Sequence, residues 1–435
     1  MRGRDEDRAG EGATRQGHAA ERRVLDALDM EGLVEAVRAL VAVPSWGGNE
    51  TPAQELVARL MAEAGLAVDL WEIDLEELAR HPAYSTELER ERPLGVVGTL
   101  RGRGDGATLI LNGHVDVVPP GDEALWTHPP FGGVVEGGHI HGRGALDTKA
   151  GLLAGLFAMR AVRDAGVALA GDVHLQSVVG EEDGGLGTLA AVLRGYTGDG
   201  AVVMEPTGLA VAPAQAGAFN FRLRVPGRAA HGAVREEGVS AIENAMVLYR
   251  AILDLESARN HELAGDPLYR RYRMPFPICV GTIRGGDWAS SVPDHAALEG
   301  RYGVAPGEDA DEACRTLEAA VAEAAREDPF LREHPPVLDW WGGRYRAART
   351  DPDHRLVRLL SGAYREIAGR EVSLEGMTYG SDMGLLAGVG RTTTVLFGPG
   401  DIRRAHRPDE SVAVADVELV ARSLALLLLR FCGTA

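Results

Sequence analysis

Cysteine is scarce in this chain: three in 435 residues, at Cys279, Cys314 and Cys432, with no Cys-x-x-Cys spacing. That scarcity excludes a disulfide framework and a thiolate zinc site, and it fits a reducing cytoplasm. Long apolar runs are also lacking. The longest, Leu424 to Leu429, ends at Arg430; it falls far short of the ~20 residues of a membrane span and reads as a buried C-terminal helix. Basic charge is in deficit, with 45 Lys and Arg against 64 Asp and Glu and a net charge of −19. Nucleic acid and anionic membrane both require a basic footprint, so neither is expected as a partner. No Gly-Lys-Ser/Thr phosphate loop occurs, and Gly142-Arg-Gly144-Ala-Leu-Asp147 has an aspartate where a dinucleotide fingerprint needs its third glycine. The first residues lack the apolar stretch of a secretory signal, and 1–25 reads as a disordered extension.

What is present is an ordinary globular composition, 45% apolar and 25% charged. At 435 residues the chain exceeds the roughly 250–300 residues at which a single core stops growing, so two domains are expected. Helical apolar spacing runs from Leu33 to Gly65, broken by a Pro- and Gly-containing loop at Val43 to Asn49. Asp147 to Val162 is apolar or small nearly all round, as a helix packed tightly on a sheet would be. Strands alternate with helices up to Glu205, which predicts a mainly parallel, doubly wound α/β sheet. After Pro206 the texture changes. Phe219 to Val225 and Ala297 to Tyr302 alternate apolar and polar, with helical stretches at Ser240 to Leu255 and Asp309 to Ala325 between such strands. The order strand, helix, strand, strand, helix, strand predicts an inserted α+β sandwich at 213–346, ending on Val337 to Trp341. The catalytic domain is then 26–212 plus 347–435.

Candidate chemistry clusters just past the predicted strands. Leu109-Ile-Leu111 leads to His114 and Asp116; Val173 to Val179 leads to Glu181 and Glu182; Ala201 to Met204 leads to Glu205; Thr393 to Phe397 leads to His406; and Asp147 precedes a helical stretch. Ligands in open α/β sheets collect outside the carboxyl ends of the strands, so these groups can converge on one crevice. Two imidazoles and four or five carboxylates suit a pair of divalent cations, with one carboxylate left over as a base. Each segment alone is weak evidence, since a His two residues from an Asp, or a Glu-Glu turn, is common on surfaces.

Together, Asn112-Gly-His-Val-Asp-Val-Val-Pro119, Gly142 to Gly151, Val178-Val-Gly-Glu-Glu182, Glu205-Pro206 and Ala405-His406 resemble one family in order and spacing. It is the co-catalytic di-zinc amidohydrolase and exopeptidase family that includes acetylornithine deacetylase, succinyl-diaminopimelate desuccinylase, aminoacylase and carboxypeptidase G; the acetylornithine deacetylase-type deacylases are the most alike. The resemblance implies that His114, Asp147 and Glu205 hold one metal and Asp147, Glu182 and His406 the other, with Asp147 bridging. Glu181 would be the general base, and Asp116 would accept the second N–H of the His114 ring. It further implies that the inserted domain is a dimerisation or lid domain. His231 would then cross from a second copy to steady an oxyanion, against the plainer reading that it caps the following helix. Arg301, Ser291, Gly380 and Ser381 are the implied substrate contacts; Ser291 lies where several relatives carry Asn, and Arg301 suits a carboxylate. The expected protein is a homodimeric, cytoplasmic deacylase of an N-acyl amino acid or related N-acyl amine. Its cofactors would be two divalent ions, zinc first, with cobalt or manganese admitted by the same donors. A dipeptidase or carboxypeptidase, a formylaminopyrimidine-type deformylase, and a metal-binding interaction protein without activity are the alternatives.

Overall fold

The computed structural model describes residues 17–435. Part of the stretch read as a disordered extension is ordered: residues 17–26 are helical, and 1–16 lie outside the described residues. Ala20, Val24 and Leu28, four residues apart, are buried, and Glu21 pairs with Arg430 at 2.7 Å. A helical apolar stripe plus that anchor outweighs the polar composition of the segment.

The chain forms two compact units, one of Met1–Pro213, Thr350–Leu374 and Leu385–Ala435, the other of Ala214–Arg349 and Glu375–Gly384. Sequence reasoning put the insertion at 213–346 and had no signal for assigning Glu375–Gly384 to it, because that segment is separate along the chain.

After the helical residues 17–26 the larger unit continues with α1 (Met30–Val41) and α2 (Thr51–Glu63), which carries Pro52 in its first turn. There follow β1 (Ala67–Glu72), β2 (Leu94–Leu100), β3 (Leu109–His114), the short pair β4 (Val134–Glu136) and β5 (His139–His141), α3 (Ala150–Asp164), β6 (Val173–Val178), α4 (Leu186–Leu193) and β7 (Gly200–Val203), and β8 (Val211–Gln215) carries the chain across the boundary between the units. The smaller unit then supplies β9 (Gly217–Pro226), β10 (Ala230–His231), α5 (Ala241–Glu262), β11 (Ile278–Gly285), β12 (Ser291–Val292), β13 (His295–Val304), α6 (Ala310–Glu327) and β14 (Val337–Tyr345). The chain returns to the larger unit with α7 (Arg355–Ala368), β15 (Thr394–Leu396), β16 (Ser411–Ala413) and α8 (Val414–Cys432).

The nine-stranded sheet runs β1-β2-β6-β3-β7-β15-β8, and two short strands, Ala348–Arg349 and Leu374–Met377, pair with β8. Its centre, β6-β3-β7-β15, is parallel; the flanking pairs β1-β2, β2-β6 and β15-β8 are antiparallel. Parallel strands need both faces covered, and every residue of β3 and β7 is buried, whereas every residue of β1 is exposed or half-buried. Small residues let α3 lie close on this sheet: a Cβ at Gly151 would come within 2.4 Å of the Met204 carbonyl oxygen, and one at Gly155 within 2.9 Å of Met204 Sδ. The helix starts at Ala150, later than the pattern predicted, because Asp147 and Thr148 adopt non-helical dihedrals. The C-terminal helix α8 buries Leu424 and Leu426–Leu429 as expected. Among the described residues no helix is long and apolar enough to cross a membrane.

The smaller unit is a four-stranded antiparallel sheet, β11-β13-β9-β14, carrying α5 and α6. Inward residues of β9 and β13, among them Phe221, Leu223, Leu298 and Tyr302, bury against Leu248, Ile252, Leu317 and Val321 of the two helices. This is the predicted strand-helix-strand-strand-helix-strand order.

Candidate metal centre

His114 closes β3, Glu181 and Glu182 follow β6, Glu205 follows β7, and His406 lies on the loop after β15. Because those four strands are parallel neighbours, their carboxyl ends share one edge, which is why groups nearly 300 residues apart meet. Two donor sets result. His114, Asp147 and Glu205 offer atoms all within 4.8 Å of one another, and so do Asp147, Glu182 and His406. Asp147 belongs to both. Its Oδ1 lies 3.3 Å from His114 Nε2 and its Oδ2 3.4 Å from His406 Nε2, so one carboxylate oxygen faces each ring. His406 Nε2 is also 3.1 Å from Glu182 Oε1, and His114 Nε2 is 3.8 Å from Glu205 and 4.0 Å from Glu181.

The electrostatics favour positive charge strongly. Burial alone would lower the pKa of both histidines, but bonds to Asp147 and the surrounding carboxylates reverse that, raising His114 well above its usual value and His406 to about 11. Burial would raise Asp147, yet the two imidazoles hold its carboxyl below the ordinary range; Glu182 is pushed up by burial and by Asp147. With Asp116, Asp147, Glu181, Glu182 and Glu205 against two rings, negative charge exceeds what the histidines can neutralise. Mixed imidazole and carboxylate donors in such a field fit a pair of divalent cations.

Asp116 is placed differently from the expectation. His114 Nδ1 lies 2.8 Å from the Asp116 backbone carbonyl and 3.7 Å from its carboxylate. Two residues past a strand end, the main chain reaches the ring before the side chain does. The carboxylate instead accepts the Glu182 N–H at 2.9 Å through Oδ2, and Oδ1 is buried without a hydrogen-bond partner. Asp116 thereby ties the His114 strand end to the glutamate turn, and the carbonyl fixes the His114 tautomer with Nε2 toward the cluster.

Two supports had escaped the sequence reading. Glu410 Oε2 accepts from Arg143 at 2.5 Å, while Oε1 accepts the Leu146 N–H at 3.1 Å and the Asp147 N–H at 3.4 Å. This pair joins the Asp147 turn to the segment following His406, a link of 267 residues that no local pattern encodes. Burial and Asp147 push Glu410 up to about 7, against the pull of Arg143. The second is Arg90, which lies 3.1 Å from Glu50 and 2.7 Å from Asp183. Asp183 also accepts from Thr86 Oγ1 and from the Glu87 and Leu88 N–H groups, pinning the turn in which Gly180 takes φ 70° and lets Glu181 and Glu182 diverge. His406 itself has φ 59°, a left-handed conformation uncommon outside glycine.

The remaining named residues lie in the smaller unit. His231 and Ser291 are register partners in the β10-β12 ladder. His231 Nδ1 accepts the Ala233 N–H at 3.1 Å, so it does cap the following turn, while the side chain stays exposed. Arg301 is half-buried and donates to the Thr378 carbonyl at 3.0 Å; burial lowers its pKa. Ser381 is buried and hydrogen-bonded to Gln215, and a Cβ at Gly380 would meet Tyr345 Cβ at 2.2 Å. Both positions are thus committed to packing within that unit, in place of the open contacts expected of a substrate loop.

The model of peptidase family M20/M25/M40 matches residues 110–430. An N-formyl-4-amino-5-aminomethyl-2-methylpyrimidine deformylase from Halalkalibacterium halodurans is 30% identical over 92% of this chain and 95% of its own length; one from Bacillus subtilis is 27% identical over 93% and 95%. Among solved structures, a di-peptidase from Saccharomyces cerevisiae superposes with a TM-score of 0.73 at 13% identity, covering 95% of this chain and 98% of its own. A family metallo-carboxypeptidase from Sulfolobus solfataricus gives 0.71 at 15%, covering 92% and 99%; these likenesses concern the fold. The chain belongs to peptidase family M20/M25/M40 and is a metal-dependent hydrolase of amide bonds.

Proposed function

We propose that this chain is a deacylase of N-acyl amines that works with two zinc ions, and that its acyl group is formyl. The observation that carries the reading is Asp147, with one oxygen toward each histidine and Glu181 buried beside them. His114, Asp147 and Glu205 would hold one cation, and Asp147, Glu182 and His406 the other. When bound, such a pair polarises the scissile carbonyl and acidifies water. Glu181 takes the proton from the attacking water and returns it to the departing nitrogen, the same group serving both steps. Asp116 and Glu410 hold the ligand-bearing turns in place.

His231 is proposed to act from a second copy of the chain. With Nδ1 accepting from Ala233, the neutral ring carries its proton on Nε2 and can donate it to a developing oxyanion. Homodimerisation is supported by the apolar residues left exposed on the smaller unit: Ile242, Met246 and Val247 on α5, and Ile283 on the edge strand β11.

The two deformylase relatives favour a formylated aminomethyl-pyrimidine as substrate. A second reading, an N-acyl amino acid, is favoured by Arg301: its half-buried guanidinium has a carbonyl partner and no carboxylate in the ion pairs of the described residues, so it suits a substrate carboxylate, with Ser291 nearby in the same unit's sequence. Chelator-sensitive hydrolysis measured across N-formyl aminopyrimidine, N-acetyl and N-succinyl amino acids and dipeptides tests this. Preference for the formyl compound supports the first reading, and preference for dipeptides overturns both.

A further inference from the structure

Three histidines outside the binuclear cluster stand together at the small sheet β16-β5-β4, two on β5 and His128 in the loop before β4. His139 and His141 are two residues apart on β5 and project from one face. Glu136 is the cross-strand partner of His139. His128 closes the group, with its Nε2 3.1 Å from the Glu136 carboxylate and its ring centroid 4.4 Å from that of His141; the His139 and His141 centroids are 6.1 Å apart. Each ring spends one nitrogen on an oxygen that can only accept: His139 Nδ1 on the Gly137 carbonyl at 3.1 Å, His141 Nε2 on the Glu136 carbonyl at 3.4 Å, and His128 Nε2 on the carboxylate. In neutral rings that leaves a lone pair on the other nitrogen, the arrangement typical of metal-ligating imidazoles. His141 Nδ1 is buried with no hydrogen-bond partner.

We propose that His128, His139 and His141, with Glu136 beside them, form a second, mononuclear site for a borderline transition cation of the zinc, nickel or copper type. Two imidazoles on one tetrahedral ion, each with a metal–nitrogen bond of about 2 Å, have centroids about 5 Å apart; the observed 4.4 and 6.1 Å bracket that distance. The donor atoms do not all lie within mutual ligating range in the present rotamers, so binding requires the rings to turn. All three are only half-buried and have room to do so. Imidazole-rich donors select these ions over magnesium or calcium, which prefer oxygen.

Nickel is the probe. Zinc-loaded protein and its His139→Ala/His141→Ala variant are dialysed against Ni2+ and analysed for both metals, alongside turnover and thermal unfolding. The wild type is expected to end with one equivalent of metal more than the variant, held as nickel after exchange, with the zinc of the binuclear centre and turnover equal in the two. Absence of that uptake in the wild type, or its survival in the variant, overturns the proposal. Should the double variant misfold, His128→Ala is read the same way, with weakened nickel uptake expected and unchanged uptake contradicting.

Discussion

Removing Arg143 should destabilise the larger unit far more than losing a surface ion pair would. Arg143 and Glu410 are 3% and 0% exposed, 2.5 Å apart, and Glu410 also receives the Leu146 and Asp147 N–H groups. Arg143→Ala leaves a buried carboxylate without its cation, a change that costs about 3–5 kcal/mol. Glu410→Gln leaves the buried Arg143 cation without a carboxylate and sets an amide NH2 against one of the donors that the two oxygens now accept from, so it should cost a similar ~3–5 kcal/mol. Arg143→Met/Glu410→Leu replaces both charges with apolar volume and should recover much of the first loss, since such exchanges are often neutral in buried pairs. The assay is urea unfolding of metal-free protein at pH 8, above the value of about 7 to which Glu410 is pushed, so that its carboxylate is ionised. An Arg143→Ala cost under about 1 kcal/mol, the range of exposed pairs, would refute the reasoning. So would a double variant less stable than the single one.

Glu181→Gln should retain the metal content of the wild type and lose roughly 10²- to 10⁴-fold in turnover, the usual contribution of a positioned acid–base group; near-parental turnover at unchanged metal content contradicts the base assignment. Asp183 sets an acid limit. Burial would raise its pKa, but Arg90, Thr86 and the Glu87 N–H hold it below the ordinary value, so its stabilisation is in place above about pH 4 and is lost as pH falls through the lower folded value. Asp183→Asn should therefore be less stable than the wild type at neutral pH and show a shallower fall below pH 4, and equal slopes in pH-dependent urea titrations would count against this. Met246→Asp, at an exposed position on α5, should convert a dimer to monomers in sedimentation velocity, whereas a dimer that survives places the interface elsewhere.

The sequence was readable where chemistry follows from strand ends. His114, Glu181, Glu182, Glu205 and His406 each sit just past an apolar run, and the parallel order of those runs brings them together. Legibility failed where a partner is chosen by tertiary packing. Nothing near Arg143 announces Glu410, and nothing near Asp183 announces Arg90, since each pair forms only once distant segments have docked. The role of Asp116 was misread for a geometric reason: side-chain chemistry suggested the carboxylate, while the local main chain presents its carbonyl to His114 first. Helix limits slipped similarly at Asp147, where apolar spacing continues smoothly but the backbone leaves the helix to aim the carboxylate between two histidines. Composition also misled at residues 17–26, where Ala20 and Val24, with Leu28 just beyond, are buried and order a charged segment.

The central claim is that Asp147 holds two cations at once, and the metal content of Asp147→Ala tests it most directly. With His139 and His141 both replaced by alanine, elemental analysis after equilibration with zinc should find two equivalents when Asp147 is intact and neither retained by Asp147→Ala after gel filtration. A variant that still carries both would contradict the account.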